Sequence, residues 1–123
     1  MKKECIFCSN KINVIAETAY AKAFYDKFPV SNGHVLIIPK EHYDTYFDLP
    51  MFVKNDMFEL LDKIKLQLDN ELSPSGYNIG INSGVSAGQT VFHCHIHLIP
   101  RYDKDMDDPS GGVRGVIPSK QKY

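Results

Sequence analysis

The 123-residue chain has no tryptophan, only three cysteines and almost no net charge. Its 14 basic and 15 acidic side chains sum to −1 at pH 7, so bulk basicity gives no reason to expect binding to nucleic acid or to an anionic membrane. The longest purely aliphatic run covers only residues 35–38, whereas a membrane-spanning helix needs about 20 apolar residues. We therefore expect neither nucleic acid nor a membrane as a partner.

The N-terminal segment MKKECIFCSN is basic, but it lacks the apolar stretch of a secretory signal. Cys5 and Cys8 stand three positions apart, and Cys94 is remote from both. An odd number of cysteines with this spacing fits a reducing compartment and a metal clip better than a disulfide scaffold. We expect a cytoplasmic protein.

The length allows a single domain over residues 1–123 and leaves no room for two. β-forming residues at 18–25 predict one or two short strands. An Asn-Gly turn followed by the apolar run 34–39 predicts a buried strand. The alternating segments 77–82 and 91–100 predict two further strands.

A long helix is predicted between these strands. It starts behind Asp48, which we expect to cap the free amides, and it ends at the Ser-Pro-Ser-Gly sequence at 73–76. The order of elements predicts an α+β domain, with a mostly antiparallel sheet of about five strands covered by this one helix. The apolar residues of the helix recur at spacings of three and four and form one stripe toward the sheet: Val53, Met57, Leu60, Leu61, Ile64 and Leu68.

Three of the five histidines alternate along the last predicted strand. His93, His95 and His97 would share one face of the sheet. Three interpretations are open: a row of solvated histidines, imidazoles that bind one metal ion together with a ligand from elsewhere, or a neutral imidazole that acts as a nucleophile. The residues between them would point into the core: Cys94, Ile96 and Leu98.

Longer segments make the third interpretation specific. HCHIHLI resembles the signature of the HIT (histidine triad) family, and NSGVSAGQTVF before it resembles that family's asparagine strand and glycine-glutamine-hydroxyl loop. AFYDKFPVSNGHVLIIPKEH resembles its nucleoside-binding hairpin, and CIFC resembles its zinc-bearing bacterial members. These blocks cover roughly residues 4–102. The chain is similar to the Hint-like bacterial or archaeal branch, with 103–123 as a C-terminal extension, and this implies a HIT-like fold.

The resemblance implies a catalytic role for the middle histidine. His95 would attack the α-phosphorus of a nucleotide, and water would cleave the resulting nucleotidyl-histidine. His97 would donate to a non-bridging phosphate oxygen and stabilise the transition state. The resemblance places two further residues at the phosphate and the departing group and one behind the triad as a hydrogen-bonding support: Gln89 and Thr90, and His34.

The resemblance also implies a nucleoside site. Asp26 would accept hydrogen bonds from both ribose hydroxyls, as a carboxylate does in other ribose sites. Asn82 would contact the sugar-phosphate region, and amides around Gly88 would complete an anion pocket. Three apolar residues would form a slot for a purine, although core packing explains them equally well: Ile6, Phe7 and Phe24.

Zinc is a separate expectation, because Cys5 and Cys8 supply only half of a tetrahedral site. His42 and His93 are the matching positions in the zinc-bearing relatives. Such a zinc would be structural, and the chemistry would need no metal. The resemblance also implies a homodimer, with the long helix or a sheet edge at the interface.

The leading functional hypothesis is a hydrolase that acts at the α-phosphate of purine nucleotides. Its substrates would be adenosine phosphoramidates or dinucleoside polyphosphates, and the third triad position, His97 rather than Gln, favours water as the acceptor. A dinucleoside polyphosphate phosphorylase is a variant of this hypothesis. The alternatives from other classes are a nucleotide-binding or scaffold protein with incidental turnover, and a zinc hydrolase that uses the triad as ligands.

Overall fold

The fold is known from a computed structural model that describes residues 5–123. Its five strands form one sheet in which the first, second, third, fifth and fourth strands of the chain lie side by side, and every neighbouring pair is antiparallel. This confirms the predicted α+β architecture. The first four residues, including the start of the predicted 4–102 core, lie outside the described residues. The elements are β1 (Ala16–Glu17), β2 (Ala21–Tyr25), β3 (Val35–Pro39), α1 (Met51–Leu72), β4 (Gly76–Ile81) and β5 (Ile96–Arg101).

The long helix α1 covers one face of the sheet and packs mainly on β2 and β3. Its buried residues are the six predicted from their spacing, and they meet the inward side chains of the central strands. The helix ends at Leu72, where Ser73 adopts a left-handed conformation (φ 49°) and its amide donates to the carbonyl of Asp69. Within the described residues, no helix qualifies as a membrane span.

The predicted cap of α1 is wrong. The helix begins at Met51 behind Pro50, and no side chain caps it. Asp48 closes a short 3₁₀ turn, Tyr46–Asp48, where its carboxylate accepts hydrogen bonds from the amide and the hydroxyl of Thr45 at 3.0 Å each. The carboxylate of Asp48 therefore does not cap the N-terminal amides of α1, because it is bonded to Thr45 in the preceding turn.

A second, smaller apolar cluster lies on the other face of the sheet. Phe24 and Leu36 are paired across β2 and β3, and their side chains are buried there with Ile38 and Phe7. The ring of Phe7 packs edge-on against Phe24, with 5.3 Å between centroids. This cluster supports the face of the sheet to which His97 belongs, because Leu36 pairs directly with His97.

The last strand begins later than predicted. The alternating pattern predicted a strand over 91–100, but β5 starts at Ile96. Its partner β3 ends at Pro39 and pairs only as far as Ile37 with Ile96. The amide of Cys94 instead donates to the carbonyl of Tyr43 at 2.7 Å. The backbone at Cys94 therefore bonds to the loop after β3 rather than to a neighbouring strand.

Candidate active site

His95 and His97 stand side by side where the chain enters β5. Their ring centroids are 5.0 Å apart, and His95 also packs edge-on against Phe7, with 5.1 Å between centroids. Cys94, Ile96 and Leu98 point to the opposite side, into the core beneath α1. His95 is only 8% exposed, so its neighbours enclose most of the side chain.

A backbone carbonyl fixes the orientation of the His95 ring. Nδ1 of His95 lies 2.9 Å from the carbonyl oxygen of His93. A carbonyl only accepts hydrogen bonds, so Nδ1 is protonated, and in this tautomer Nε2 is the nitrogen that carries the lone pair. This is the arrangement that a nucleophilic imidazole requires.

His97 belongs to a chain of hydrogen bonds that starts at the backbone. The amide of Val30 donates to Nδ1 of His34 at 3.0 Å, so Nε2 of His34 carries the proton. That Nε2 lies 3.0 Å from Nδ1 of His97 and donates to it. The proton of the neutral His97 ring is therefore on Nε2. Burial and the neighbouring His95 and His34 rings lower the pKa of His97 to about 4, and burial also lowers the pKa of His34.

The loop between β4 and the triad is held by a buried glutamine. The side-chain Oε1 of Gln89 accepts a hydrogen bond from the backbone amide of Gly84 at 2.8 Å. Its Nε2 donates to the backbone carbonyls of Asp44 at 2.6 Å and Val91 at 3.1 Å. Both N–H groups of this amide thus have partners inside the protein. The side chain of Gln89 therefore has no free N–H for the expected contact with the phosphate. Its hydrogen bonds support a role in shaping the loop.

The rest of this loop is open to solvent. It contains a short 3₁₀ turn, Val85–Ala87, that ends at Gly88 with φ +95°, a conformation that L side chains rarely adopt. Gly88 and Thr90 are both exposed. The hydroxyl of Thr90 is therefore accessible to an anion. The expected anion pocket of amides around Gly88 is not formed, because the amides of Ala87, Gly88 and Gln89 already donate to the carbonyls of Gly84 and Val85.

Asp26 lies at the end of β2 next to His34. Its Oδ1 accepts a hydrogen bond from the amide of Phe28 at 2.9 Å, and its Oδ2 lies 3.6 Å from Nε2 of His34. Asn82 follows β4, on the face that Gly80 shares with its partner His97. The structure therefore brings Asp26 to the triad through His34 and places Asn82 on the same side of the sheet.

The three residues of the expected purine slot do not share one environment. Phe7 and Phe24 are buried in the second apolar cluster, whereas Ile6 is 61% exposed. Packing therefore accounts for the two aromatic residues, although Phe7 also contacts the ring of His95. Of the three, Ile6 offers the most surface to a ligand.

The four expected metal ligands converge. Their ligand atoms lie within 4.8 Å of one another, and Nδ1 of His93 is 3.3 Å from Sγ of Cys5 and 3.4 Å from Sγ of Cys8. Nδ1 of His42 is 3.3 Å from Sγ of Cys8. Tetrahedral zinc, with Zn–S and Zn–N bonds of about 2.3 and 2.0 Å, separates sulfur and nitrogen ligands by about 3.5 Å. The residues therefore fit a zinc ion.

The outer nitrogens of both metal-site histidines have acceptors. Nε2 of His93 lies 2.9 Å from the carbonyl of Pro39, and Nε2 of His42 lies 2.9 Å from a carboxylate oxygen of Asp44. Both partners accept, so both Nδ1 atoms present lone pairs to the site, as metal-binding histidines require. Burial lowers the pKa of His93 to about 4, which keeps the ring neutral.

Sequence reasoning missed these supporting groups. Asp44 carried a weak signal, a carboxylate two positions after a histidine that was expected to bind metal. The carbonyls of Pro39 and His93 and the amide of Val30 carried none, because every residue type supplies the same backbone groups.

Several proteins of known name are similar in sequence to this chain. The protein called hit from Bacillus subtilis is 36% identical over 107 residues, which cover 83% of this chain and 74% of that protein. The adenosine 5′-monophosphoramidase of Candida albicans is 38% identical over 109 residues, or 81% of this chain and 72% of that protein. The asymmetrical bis(5′-nucleosyl)-tetraphosphatase of Schizosaccharomyces pombe is 38% identical over 95 residues, or 77% of this chain and 52% of that protein.

Solved structures share the fold. A HIT family protein from Bacillus anthracis gives a TM-score of 0.79 at 38% identity, covering 85% of this chain and 77% of that chain. A zinc-bound histidine triad family protein from Mycobacterium smegmatis gives 0.77 at 33% identity, covering 85% and 80%. The family model for the HIT domain matches residues 9–104, and this chain belongs to the HIT domain family.

Proposed function

We propose that this protein is a nucleotide hydrolase that acts at the α-phosphate of purine nucleotides through a nucleotidyl-histidine intermediate on His95. The observation that carries the proposal is the hydrogen bond from Nδ1 of His95 to the carbonyl of His93. It leaves the Nε2 lone pair available to attack phosphorus. Two of the related proteins are named as hydrolases of nucleotides, a tetraphosphatase and a phosphoramidase.

The reaction divides between two histidines. Nε2 of His95 forms a bond to the α-phosphorus, and the bond from phosphorus to the leaving oxygen or nitrogen breaks. The leaving group keeps the bonding electron pair, and a leaving nitrogen takes a proton from solvent water. Nε2–H of His97 donates to a non-bridging phosphate oxygen, whose charge grows in the transition state. Water then cleaves the phosphorus–nitrogen bond to His95 and releases the nucleoside monophosphate. Adenosine phosphoramidates and dinucleoside polyphosphates are the substrate classes that fit this sequence of steps.

The nucleoside site supports the same function. Asp26 accepts the ribose hydroxyls, Asn82 contacts the sugar-phosphate region, and the exposed hydroxyl of Thr90 donates to the phosphate. Ile6 covers the purine, with Phe7 and Phe24 behind it. Gln89 holds the loop of Gly88 and Thr90 through its backbone hydrogen bonds.

Cys5, Cys8, His42 and His93 would hold a structural zinc ion. The convergence of their ligand atoms and the acceptors behind both histidines support this assignment. Zinc would tie the N-terminal segment and the loop after β3 to the residues that precede β5. Because His93 is used as a ligand, the chemistry at His95 and His97 needs no metal.

The protein would act in the cytoplasm as a homodimer. The sheet ends at β4, and Ile79 on this edge strand is 48% exposed. Within residues 5–123 no strand pairs with the outer side of β4, and such an edge with an apolar side chain favours pairing with another chain. Helix α1 also exposes Leu66 and Phe58. Light scattering at micromolar concentration is expected to give the mass of two chains, and a monomer would contradict this assignment.

The test of the function is detection of the covalent intermediate. Wild-type protein is mixed with adenosine phosphoramidate or diadenosine tetraphosphate, quenched, digested and examined by mass spectrometry. We expect AMP on the peptide that contains His95, and loss of both the adduct and AMP release in His95→Asn. Lys122→Ala, at an exposed lysine that pairs with Asp108, serves as the control that keeps both. Equal AMP release by wild type and His95→Asn would overturn the proposal.

A further inference from the structure

A second group of three ligand-type side chains lies beside the triad. Asp26, His34 and His97 bring a carboxylate oxygen and two ring nitrogens within 4.8 Å of one another. This arrangement has the composition of a metal site. However, Nδ1 of His34 accepts from the amide of Val30, so Nε2, the atom that faces the other two groups, carries a proton. A protonated nitrogen has no lone pair for a metal. His34 is instead a donor whose Nε2 proton has two possible acceptors, Nδ1 of His97 and Oδ2 of Asp26.

The two acceptors stand at different distances from this proton. Nε2 of His34 lies 3.0 Å from Nδ1 of His97, a hydrogen-bond distance. It lies 3.6 Å from Oδ2 of Asp26, which attracts the proton by charge without forming a hydrogen bond. Only the first contact fixes His97 as the tautomer with its proton on Nε2, which is the donor that the phosphate needs.

The same carboxylate oxygen is the one left for the ribose. Oδ1 of Asp26 is already bonded to the amide of Phe28 at 2.9 Å, so hydroxyl groups that approach Asp26 would donate mainly to Oδ2. Hydrogen bonds from two hydroxyls reduce the pull of that oxygen on a neighbouring proton. The Nε2–H of His34 would then donate its hydrogen bond to Nδ1 of His97 alone.

We propose that Asp26 is a positioning residue that couples occupancy of the ribose site to the tautomer of His97 through His34. This inference rests on the proposed function for its use in catalysis. Without a diol, Oδ2 of Asp26 and Nδ1 of His97 compete for the proton of His34. With a diol bound, His34 donates fully to His97, and His97 presents Nε2–H to the phosphate. The ribose hydroxyls therefore contribute to the rate of the reaction as well as to binding.

The direct test is NMR spectroscopy of protein with ¹⁵N-labelled histidine rings, because ring-nitrogen shifts report which nitrogen carries the proton. The ligands are adenosine and 2′,3′-dideoxyadenosine, which lacks both hydroxyls. At saturation we expect adenosine to move the His97 nitrogens further toward the Nε2–H tautomer, and dideoxyadenosine to leave their tautomer balance unchanged. In Asp26→Asn, neither nucleoside is expected to change it. Equal tautomer shifts from both nucleosides in the wild-type protein would overturn the inference without any variant.

Steady-state kinetics provide a second measurement. With saturating substrates, removing both hydroxyls is expected to lower kcat of the wild type about tenfold, a fraction of what loss of a whole transition-state donor costs. Asp26→Asn is expected to give the same kcat for both substrates. A difference confined to KM would mean that Asp26 only binds ribose.

The two proposals fail separately. The nucleosides in the NMR experiment have no phosphate, so its result does not depend on covalent chemistry at His95. An adduct on His95 with no nucleoside-dependent tautomer shift would reject the coupling alone. A tautomer shift without an adduct would reject the covalent mechanism alone.

Discussion

The carbonyl oxygen of His93 lies 2.9 Å from Nδ1 of His95, while the ring of His93 faces the sulfur atoms of Cys5 and Cys8. One residue thus joins the metal-ligand cluster through its side chain and the proposed nucleophile through its backbone. A backbone shift at His93 would move both the ring that faces the sulfur atoms and the carbonyl that orients His95. The metal-ligand cluster is therefore part of the support for the nucleophile.

We expect zinc removal to destabilise the protein, and Cys8→Ser tests this expectation. Cys8 contacts both His42 and His93, so its loss removes the central ligand. Zinc content by elemental analysis is expected to fall from about one ion per chain to a small fraction. The free energy of unfolding, from urea titration, is expected to fall by about 3 kcal/mol or more.

Cys94→Ala is the matched control for this variant. Cys94 is a buried cysteine in the main core, and burial raises the pKa of its thiol to about 12. Its replacement is expected to cost about 1 kcal/mol through the small cavity that it leaves and to keep the zinc. Wild-type zinc content in Cys8→Ser would show that the ion is held elsewhere.

Gln89→Glu is expected to loosen the loop between β4 and the triad. The change keeps the shape of the side chain but replaces two N–H donors with a carboxylate that faces the carbonyls of Asp44 and Val91. Gln89 is only 3% exposed, so water cannot relieve the repulsion, and we expect a loss of about 2–4 kcal/mol in stability. Hydrogen exchange should increase in the Gly84–Thr90 amides.

Gln67→Glu is the control, because this exposed residue of α1 bonds only to Glu71 among the hydrogen bonds of the structure. The same chemical change there is expected to cost no more than about 0.5 kcal/mol. Similar losses at the two positions would mean that the hydrogen bonds of Gln89 do not hold the loop.

The helix and the sides to which the triad side chains point could be predicted because they depend on periodic patterns. The stripe of α1 and the inward side of Cys94, Ile96 and Leu98 follow from spacings of three to four and of two. The start of β5 could not, because it depends on where the partner strand β3 ends and on the amide of Cys94 meeting Tyr43.

The tautomers of the site lay beyond sequence reasoning for a similar reason. They follow from three backbone groups, the carbonyls of His93 and Pro39 and the amide of Val30, which come from distant parts of the chain or from a turn. The cap of α1 failed at Asp48 because an earlier turn competes for the same carboxylate. Residue types predict which groups are present, but the fold decides which partners they meet.

Gly33→Ala is expected to destabilise the turn that leads into His34. A Cβ there would lie 2.5 Å from Cδ1 of Leu72 and 3.3 Å from Cγ of Pro100, at a φ of +89°. Gly84→Ala is the control, because Gly84 has a φ of +98° and no atom within 4 Å of the added Cβ. It is expected to lose only the free energy of unfolding that left-handed backbone strain costs, about 1–2 kcal/mol. Urea unfolding should show a further loss of about 1–3 kcal/mol in Gly33→Ala from the steric contact. Equal losses would show that the Leu72 side chain moves aside freely.

His97 is expected to make the folded state less stable in acid. Its pKa is lowered to about 4 in the folded protein, mainly by burial, whereas the unfolded chain takes up this proton near 6.5. The unfolded state therefore binds more protons between these values, and stability is lost as the pH falls from about 6.5 toward 4. Between about pH 7.5 and pH 5, this one group should account for about 2 kcal/mol of the loss. His97→Gln removes the titration while His34 and His93 stay in both proteins, so the variant should lose about that much less stability over the same interval of urea titrations. An identical pH dependence in the two proteins would mean that His97 is not held neutral by burial, and the neutral Nε2–H donor assigned to it would then have to be abandoned.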